Sequence, residues 1–452
     1  MADKRLLSGE LPSELQESPL SVEHEEDVTA APESTLELAS VAPEVLADSL
    51  GEYVRAWGRR IRGGESGALP IIVGLVVIVV FFQLEQSKFV SATNLVNLFQ
   101  QASIYVLLGA AEVFALVLSE IDLSVGYVLG IGGFVVAELI ASPVNLPWWL
   151  AILCGLAATG AIGYLQGTLI TRLRVPSFVV TLAGLLVWEG VVIELANIDS
   201  SAVGGVISVS SSSPVYRLVN DNMSPAVSWI ALAVVLALFA GSALSRAARR
   251  RAQGLSAPPL SITLLTIAIT AIGGILLVYV CTLNRGILIP LRGVPWVIPF
   301  VGLVLFAYSM LLGRTRIGRY MYAIGGNPEA ARRAGINVQR IRRFAFMLSA
   351  MTAGLAGLAY TSLLGSVSTG IGGGTYTLYG VAAAVIGGAS LFGGRGKPLH
   401  ALLGGLVIGV VYNGLALMGI SAAGQFIATG IVLLAASAVD ALVRRRGATG
   451  SV

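Results

Sequence analysis

Glu112, Glu120, Asp122 and Glu138 lie inside or beside stretches that are otherwise almost wholly apolar. A charge at the centre of a bilayer costs about 2.5–3.5 kcal/mol on insertion scales, so each such acid invites a functional reading. Asp122 is the sharpest case. It opens Asp122-Leu-Ser124, where both polar side chains can cap a following helix, since an Asp oxygen accepts an amide proton from two or three residues on. The alternative is a place in a translocation path, with the carboxylate accepting hydrogen bonds from a solute's hydroxyls. A third chemistry is a proton relay, as in a proton-coupled secondary transporter, whose uptake collapses with the proton gradient and survives without ATP. Glu120, Asp122 and Ser124, with Gln166 and Asn413 on other apolar stretches, make up the candidate set for a path or a helix break.

Other chemistries find no constellation. The run Gly387 to Lys397 has the look of a phosphate loop, but Leu391 stands where GxxxxGK needs its first glycine, and Pro398 follows the lysine in place of Ser or Thr. No GxSxG, HExxH or paired-carboxylate site is present. Cys154 and Cys281 fall inside apolar segments without CxxC spacing, and His24 and His400 share no metal-like spacing with an acid or thiol. The expectation is a chain that is not an enzyme, with no nucleotide site of its own, no metal and no cofactor.

The most informative polar stretch runs from Gly313 to Arg343. Within it Asn327 is a good N-cap, Pro328 suits the first helical position, and Glu329 complements the positive end of the helix dipole. Ala330, Ala331, Arg332 and Arg333 propagate the helix, and Gly335 supplies its stop. The result is a helix of about two turns within 327–336. An isolated helix that short is marginal in water, so it must pack on something. Ala330, Ala331, Ala334 and Ile336 are small enough for a groove in a partner protein; Arg332 and Arg333 equally suit a helix lying against anionic membrane lipid.

The elements that position these residues follow from composition. Hydrophobic residues make up 55% of the 452 and charged residues 12%, against about 25% charged in an ordinary soluble domain. Of the 25 Asp and Glu, 14 lie before residue 67. The chain therefore divides into a polar acidic tail at 1–67, expected to be largely disordered apart from a short helix around Leu46 to Ile61, a transmembrane domain at 68–443 and a basic tail at 444–452. No cleavable signal peptide is expected, because the first apolar run begins too far from the initiator Met. Stretches long enough to cross a hydrocarbon layer about 30 Å thick fall at 68–84, 95–118, 123–141, 147–171, 175–196, 227–244, 259–281, 294–313, 343–364, 377–394, 399–419 and 422–443. An all-α bundle of about twelve spans, with 10–14 as the range, is expected. Gly, Ser or charge at 119–126, 386–398 and 414–424 marks sites of broken or re-entrant helices.

Arginine and lysine placement orients the bundle. With both termini cytoplasmic, the inside loops collect Arg55 to Arg62, Arg172, Arg174, Arg246 to Arg251, the arginines from Arg314 to Arg343, Arg395, Lys397 and Arg444 to Arg446; the outside loops hold only Lys88, Arg217, Arg285 and Arg292. The net charge of +4 belongs to this pattern, and no nucleic-acid partner is expected. Glycine, at 54 residues, recurs beside Ala and Ser as in Gly354-Leu-Ala-Gly357, which reads as close helix packing.

The run Glu329-Ala-Ala followed by Gly335 resembles the EAA-type coupling motif of ATP-binding-cassette importer permeases. Its surroundings resemble the branched-chain amino acid and sugar permease family. Three ordered motifs, Ile121 to Gly126 (IDLSVG), Ala323 to Ile336 (AIGGNPEAARRAGI) and Val385 to Pro398 (VIGGASLFGGRGKP), look like those of the xylose and multiple-sugar permeases, and the similarity covers most of residues 90–420. The resemblance implies a helical permease of the bacterial inner membrane that pairs with a second copy and receives sugar, a pentose such as xylose, from a periplasmic binding protein. A separate cytoplasmic ATPase would power it, with the helix from Asn327 to Ile336 as the coupling helix seated in that ATPase. Two extra helices near 227–281 fit the longer, xylose-type members. The departures are Ser119 and Glu120 where many relatives have glycines, Gln166-Gly167 where Asn-Gly is common, and Lys397 and His400 where small residues are frequent. They bear on substrate identity.

Overall fold

Backbone amides in lipid have no water to bond, so apolar stretches must close their hydrogen bonds within helices, and among the described residues the apolar stretches from residue 69 onward do so. The structure, a computed structural model, describes residues 68–198, 205–255, 257, 259–287 and 289–432, with Gly51 and Leu434. The acidic tail at 1–67 apart from Gly51, its expected helix near Leu46 to Ile61 apart from that same glycine, and the basic tail at 444–452 lie outside the described residues.

The helices are α1 (Leu69–Glu85), α2 (Ala92–Val117), α3 (Val125–Ile140), α4 (Trp148–Leu173), α5 (Ser177–Ile198), α6 (Pro214–Asn220), α7 (Pro225–Ala252), α8 (Leu260–Thr282), α9 (Val297–Arg314), α10 (Arg316–Gly326), α11 (Pro328–Arg333), α12 (Val338–Leu364), α13 (Gly373–Ile386) and α14 (Pro398–Leu417). A last apolar helix, α15, covers Ala422–Val432. Two three-residue strands, β1 (Val206–Ser208) and β2 (Ser366–Ser368), pair antiparallel with Ile207 opposite Val367. The fold is all-α and polytopic. Among the described residues eight helices, α2, α4, α5, α7, α8, α9, α12 and α14, are long and apolar enough to cross a membrane, and α1, α3, α13 and α15 are shorter apolar helices.

Two of the short helices are short for a visible reason. Helix α3 has 16 residues, about 24 Å at 1.5 Å per residue, because the chain leaves helical geometry over 118–124 before it starts. Helix α13 starts earlier than expected, at Gly373, and ends at Ile386 rather than near 394. Gly388, Gly393 and Gly394 then take positive φ and turn the chain toward α14.

Helices α2 and α12 form the centre: α12 packs on α2, α3 and α4, while α2 packs on α12, α13 and α14. Small residues allow this. A Cβ at Gly357 of α12 would overlap the Leu129 carbonyl oxygen of α3, so the two backbones touch there. In lipid, helices associate through such close van der Waals packing, since the surrounding tails are as apolar as leucine. Helices α7 and α8 pack chiefly on each other.

Candidate functional site

Helix α11 carries its start and stop in its own sequence. Asn327 Oδ1 accepts the amide protons of Glu329 at 3.0 Å and Ala330 at 2.9 Å, and Pro328 occupies the first position. At the other end Gly335 takes φ +81°, while the Gly335 amide donates to Arg332 O and the Ile336 amide to Ala331 O, a Schellman closure. The helix has six residues, and Glu329 pairs with Arg333 at 3.5 Å on its exposed side. The expectation that Ala330, Ala331, Ala334 and Ile336 together face a partner needs correction. Ala331 is turned into the chain's own core and Ile336 is half-buried, leaving Ala330 and Ala334 outward with Arg332 and Arg333. A helix this short needs an internal anchor, and Ala331 is it.

The helices on either side of α11 both reach the break between α2 and α3. Before α11, the end of α10 meets the end of α2 so closely that a Cβ at Gly325 would overlap the Val117 carbonyl oxygen. The Gly394 amide donates to that same oxygen at 3.0 Å, and the Ser119 hydroxyl lies 2.9 Å from Phe392 O and 3.2 Å from Gly325 O. Tyr322 of α10 donates its hydroxyl proton to Gly396 O at 2.5 Å. Burial raises the Tyr322 hydroxyl above the ordinary phenol range, so this donor keeps its proton at any physiological pH. The glycine turn at 387–397 is thereby fastened to both α2 and α10.

After α11, α12 supplies the second connection. Arg342 Nη2 pairs with Glu120 Oε1 at 3.1 Å, and both side chains are largely shielded, at 27% and 10% exposure. Seven residues on, Ser349 donates to Asp122 Oδ2 at 3.2 Å. Asp122 Oδ1 accepts the Ser124 amide at 3.1 Å and the Ser124 hydroxyl at 2.6 Å. With its proton committed to Asp122, the Ser124 hydroxyl accepts from Gln166 Nε2 at 2.9 Å. Asp122, Ser124, Gln166 and Ser349 are all buried, so this is a buried polar network in which each member has a partner.

Ser124 is the N-cap residue of α3, but its side chain makes no cap hydrogen bond to the helix. The expected double cap by Asp122 and Ser124 is half right: Asp122 takes the Ser124 amide, while the Gly126 amide is accepted by Thr377 Oγ1 of α13 at 3.0 Å. Asn413 is separate from the network. Its Oδ1 accepts from Asn94 Nδ2 at 2.8 Å, tying the first turn of α2 to α14. Thus Glu120, Asp122, Ser124 and Gln166 come together around one helix break, and Asn413 does not join them.

Sequence reasoning missed Arg342, Ser349 and Thr377. Arg342 sits in a run of arginines that reads as a topology signal, and an isolated Ser or Thr in a glycine-rich helix reads as packing. Glu112, on α2, is fully buried without a side-chain partner for its carboxylate, and it faces both the backbone amide and the carboxylate of Asp122. Among the described residues no three His, Cys, Asp or Glu side chains are grouped to hold a metal ion.

A network that links an outward-facing short helix to a helix break suits a transport protein, and known proteins agree. The family model described as branched-chain amino acid transport system / permease component matches residues 94–437. The chain is 34% identical over 393 residues to the xylose transport system permease protein XylH of Escherichia coli (strain K12), covering 85% of this chain and 96% of the relative. It is 30% identical over 369 residues to the ribose import permease protein RbsC of the same organism, covering 82% and 92%. The D-allose transport system permease protein AlsC, also of that organism, is 27% identical over 370 residues, covering 82% and 90%. No solved structure matches the chain. The chain is a multi-pass integral protein of the inner membrane, and it belongs to the branched-chain amino acid and sugar permease family of ATP-binding-cassette importers.

Proposed function

We propose that this chain is the membrane-spanning subunit of an ATP-driven sugar importer, with a pentose such as xylose as its solute. A periplasmic binding protein delivers the sugar, a separate ATPase docks on α11, and two copies of the chain form the channel. The twelve apolar helices then all cross or enter the bilayer, with both termini on the ATPase side. The relatives named for xylose, ribose and allose support a sugar, and the xylose protein is the most similar of those three.

The observation that carries the ATPase reading is the placement of α11. It presents Ala330 and Ala334 outward while its flanking helices grip the polar break from two sides, through Gly325 at Val117 and through Arg342 at Glu120. A push on α11 is passed to α10 and α12 as rigid bodies, and from them to Ser119, Glu120 and Asp122, where α2 gives way to α3. Opening the break separates α3 from α2 and exposes the path. Asp122, Ser124 and Gln166 are the polar groups that a sugar hydroxyl would then meet.

The Gly335→Pro variant tests this, because proline fixes φ near −65° where the native value is +81°. Uptake and co-purification of the ATPase should both be lost. Ala330→Trp provides the check on folding, since Ala330 is exposed: the chain should be produced at the normal level and still fail to bind the ATPase. Intact uptake in both variants would remove α11 from the coupling role. Thermal-shift measurements on the cognate binding protein with a panel of pentoses and hexoses identify the sugar.

A second reading rests on Glu112, whose buried carboxylate, without an ion-pair partner among the described residues, is what a proton carrier would hold. Under it, uptake falls with the proton gradient and persists when ATP is depleted; the importer reading requires the reverse.

A further inference from the structure

Beside α11 lies a cavity of about 810 Å³, walled by α4, α10, α12 and the linker that joins α11 to α12. Its chemistry changes along its length. Along α12 its lining runs from Arg340 and Arg343 to Phe344 and Met347, and Tyr164 of α4, Tyr320 of α10 and three isoleucines complete the wall. No acidic residue lines it. Arg340 is exposed and forms no ion pair with any described residue. Arg343 is held in place, Nε donating to Thr171 Oγ1 at 3.2 Å and Nη2 to Gln339 Oε1 at 3.4 Å, but neither partner neutralises its charge.

The change from cationic to apolar follows the membrane. From Arg340 to Met347 is seven residues of α12, about 10 Å at 1.5 Å per residue, long enough to reach from a phosphate past the ester into an acyl chain. Tyr164 lies nine residues before the end of α4 at Leu173, about 14 Å deep, and its neighbours Leu165 and Leu169 are exposed as lipid-facing side chains are. With the membrane–water boundary at the end of α4, where Arg172 and Arg174 flank Leu173, the cavity starts at that boundary and descends beside hydrocarbon.

We propose that this cavity is a specific site for one anionic phospholipid, its phosphate between Arg340 and Arg343 and the start of an acyl chain against Phe344, Met347 and Tyr164. Charge complementarity selects this occupant. A second copy of the chain whose two-fold axis passed through the cavity would bring Arg340 and Arg343 against their own equivalents, and a neutral lipid would leave two guanidinium groups without a counter-charge. Guanidinium is suited to phosphate because its planar fork donates two parallel hydrogen bonds. The site also fixes the N-terminal turns of α12, the helix that carries Arg342 and Ser349 to the break. The lipid assignment does not depend on the ATPase reading, since it rests only on the cavity and the membrane.

Native mass spectrometry of the full-length chain, purified in mild detergent and exposed to equimolar phosphatidylglycerol and phosphatidylcholine of the same acyl chains, tests it. The wild-type chain should retain the anionic lipid in about tenfold excess. Arg340→Gln should bring the ratio close to parity, and Arg340→Lys should restore part of it; Arg340 is exposed, so both variants fold. Millimolar inorganic phosphate should leave the lipid adduct in place. Equal retention of the two lipids by the wild type, or an unchanged preference in Arg340→Gln, overturns the proposal. Displacement by inorganic phosphate makes the site one for a free anion, and loss of the adduct when the ATPase is bound makes it a docking surface for that subunit; either outcome also overturns it.

Discussion

Helices α2 and α12 are largely buried within the chain, whereas few residues of α7 and α8 are. Hydropathy runs the other way: α7 and α8 have the highest mean hydropathy of the eight long helices, and α2 and α12 the lowest. In water this order would be perverse. In a bilayer it follows from what each surface touches. A lipid-facing helix gains by being apolar all round, while a central helix trades large apolar side chains for glycine, serine and threonine that let backbones meet and bond across the interface. Polarity has accordingly moved to the centre, where Glu112, Asp122, Ser349, Thr352 and Thr361 are all buried.

The contrast is broken most severely by adding volume at the centre. Gly357→Leu places a side chain where Leu129 O and the Gly133 amide already stand. Overpacking of this kind costs about 3 kcal/mol or more when backbones must part, and the expected outcome is loss of folded protein in a detergent-unfolding assay. A cost below about 1 kcal/mol would show that the centre is loosely packed and that the contrast with α7 and α8 is superficial.

Next in size is the ion pair at the break. Arg342→Ala leaves Glu120 as a shielded carboxylate without its partner, which costs 3–5 kcal/mol for fully buried pairs; with Arg342 at 27% exposure, about 2 kcal/mol is expected. The double variant Arg342→Ala with Glu120→Gln should recover most of that loss, because the stranded charge is gone. Unfolding measurements on the four proteins of this cycle give the coupling energy. Uptake should remain low in the double variant, since the link from α12 to the break is absent in it as well.

Asn413→Leu is milder. It removes one of the two hydrogen bonds of Asn94 Nδ2, the other being to Phe89 O, and should cost about 1–2 kcal/mol. Uptake per folded molecule should stay at the wild-type level, because Asn413 lies apart from the Asp122 network. A selective loss of uptake would return Asn413 to the translocation path.

What the sequence disclosed divides along the same line. Helix α11 was legible to the residue, because Asn327, Pro328 and Gly335 act on their immediate neighbours. The break at 118–124 and the turn at 387–397 were legible from glycine, serine and charge interrupting apolar runs. Pairings across the bundle were not. Glu120 meets Arg342 and Asn94 meets Asn413 over separations of more than two hundred residues, and nothing local marks one buried asparagine as the partner of another. Ser124 fits a cap by type, and its hydroxyl proton goes instead to Asp122, leaving Thr377 of a distant helix to accept the Gly126 amide. Burial order was also hidden: helices apolar all round show no face, so periodicity does not tell centre from rim.

The smallest expected effect is at the rim. Glycines 241 and 273, in α7 and α8, have no atom within 4 Å of where a Cβ would stand. Gly273→Ala should therefore meet no clash and gain helix propensity, worth up to about 1 kcal/mol in water and less in lipid, where helices are already enforced. The melting temperature should be unchanged or slightly raised. A Cβ at the neighbouring Gly274 would meet only the Cδ1 of Leu232 of α7, the end of a flexible side chain that can turn aside, so Gly274→Ala serves as the internal comparison and should gain less than Gly273→Ala. If Gly273→Ala instead destabilises the assembled protein while leaving the detergent-isolated monomer untouched, then the open face of α8 is covered in the assembly. The hairpin would then be a contact between copies of the chain and not a lipid-facing rim, and its high hydropathy would reflect what it packs against after assembly.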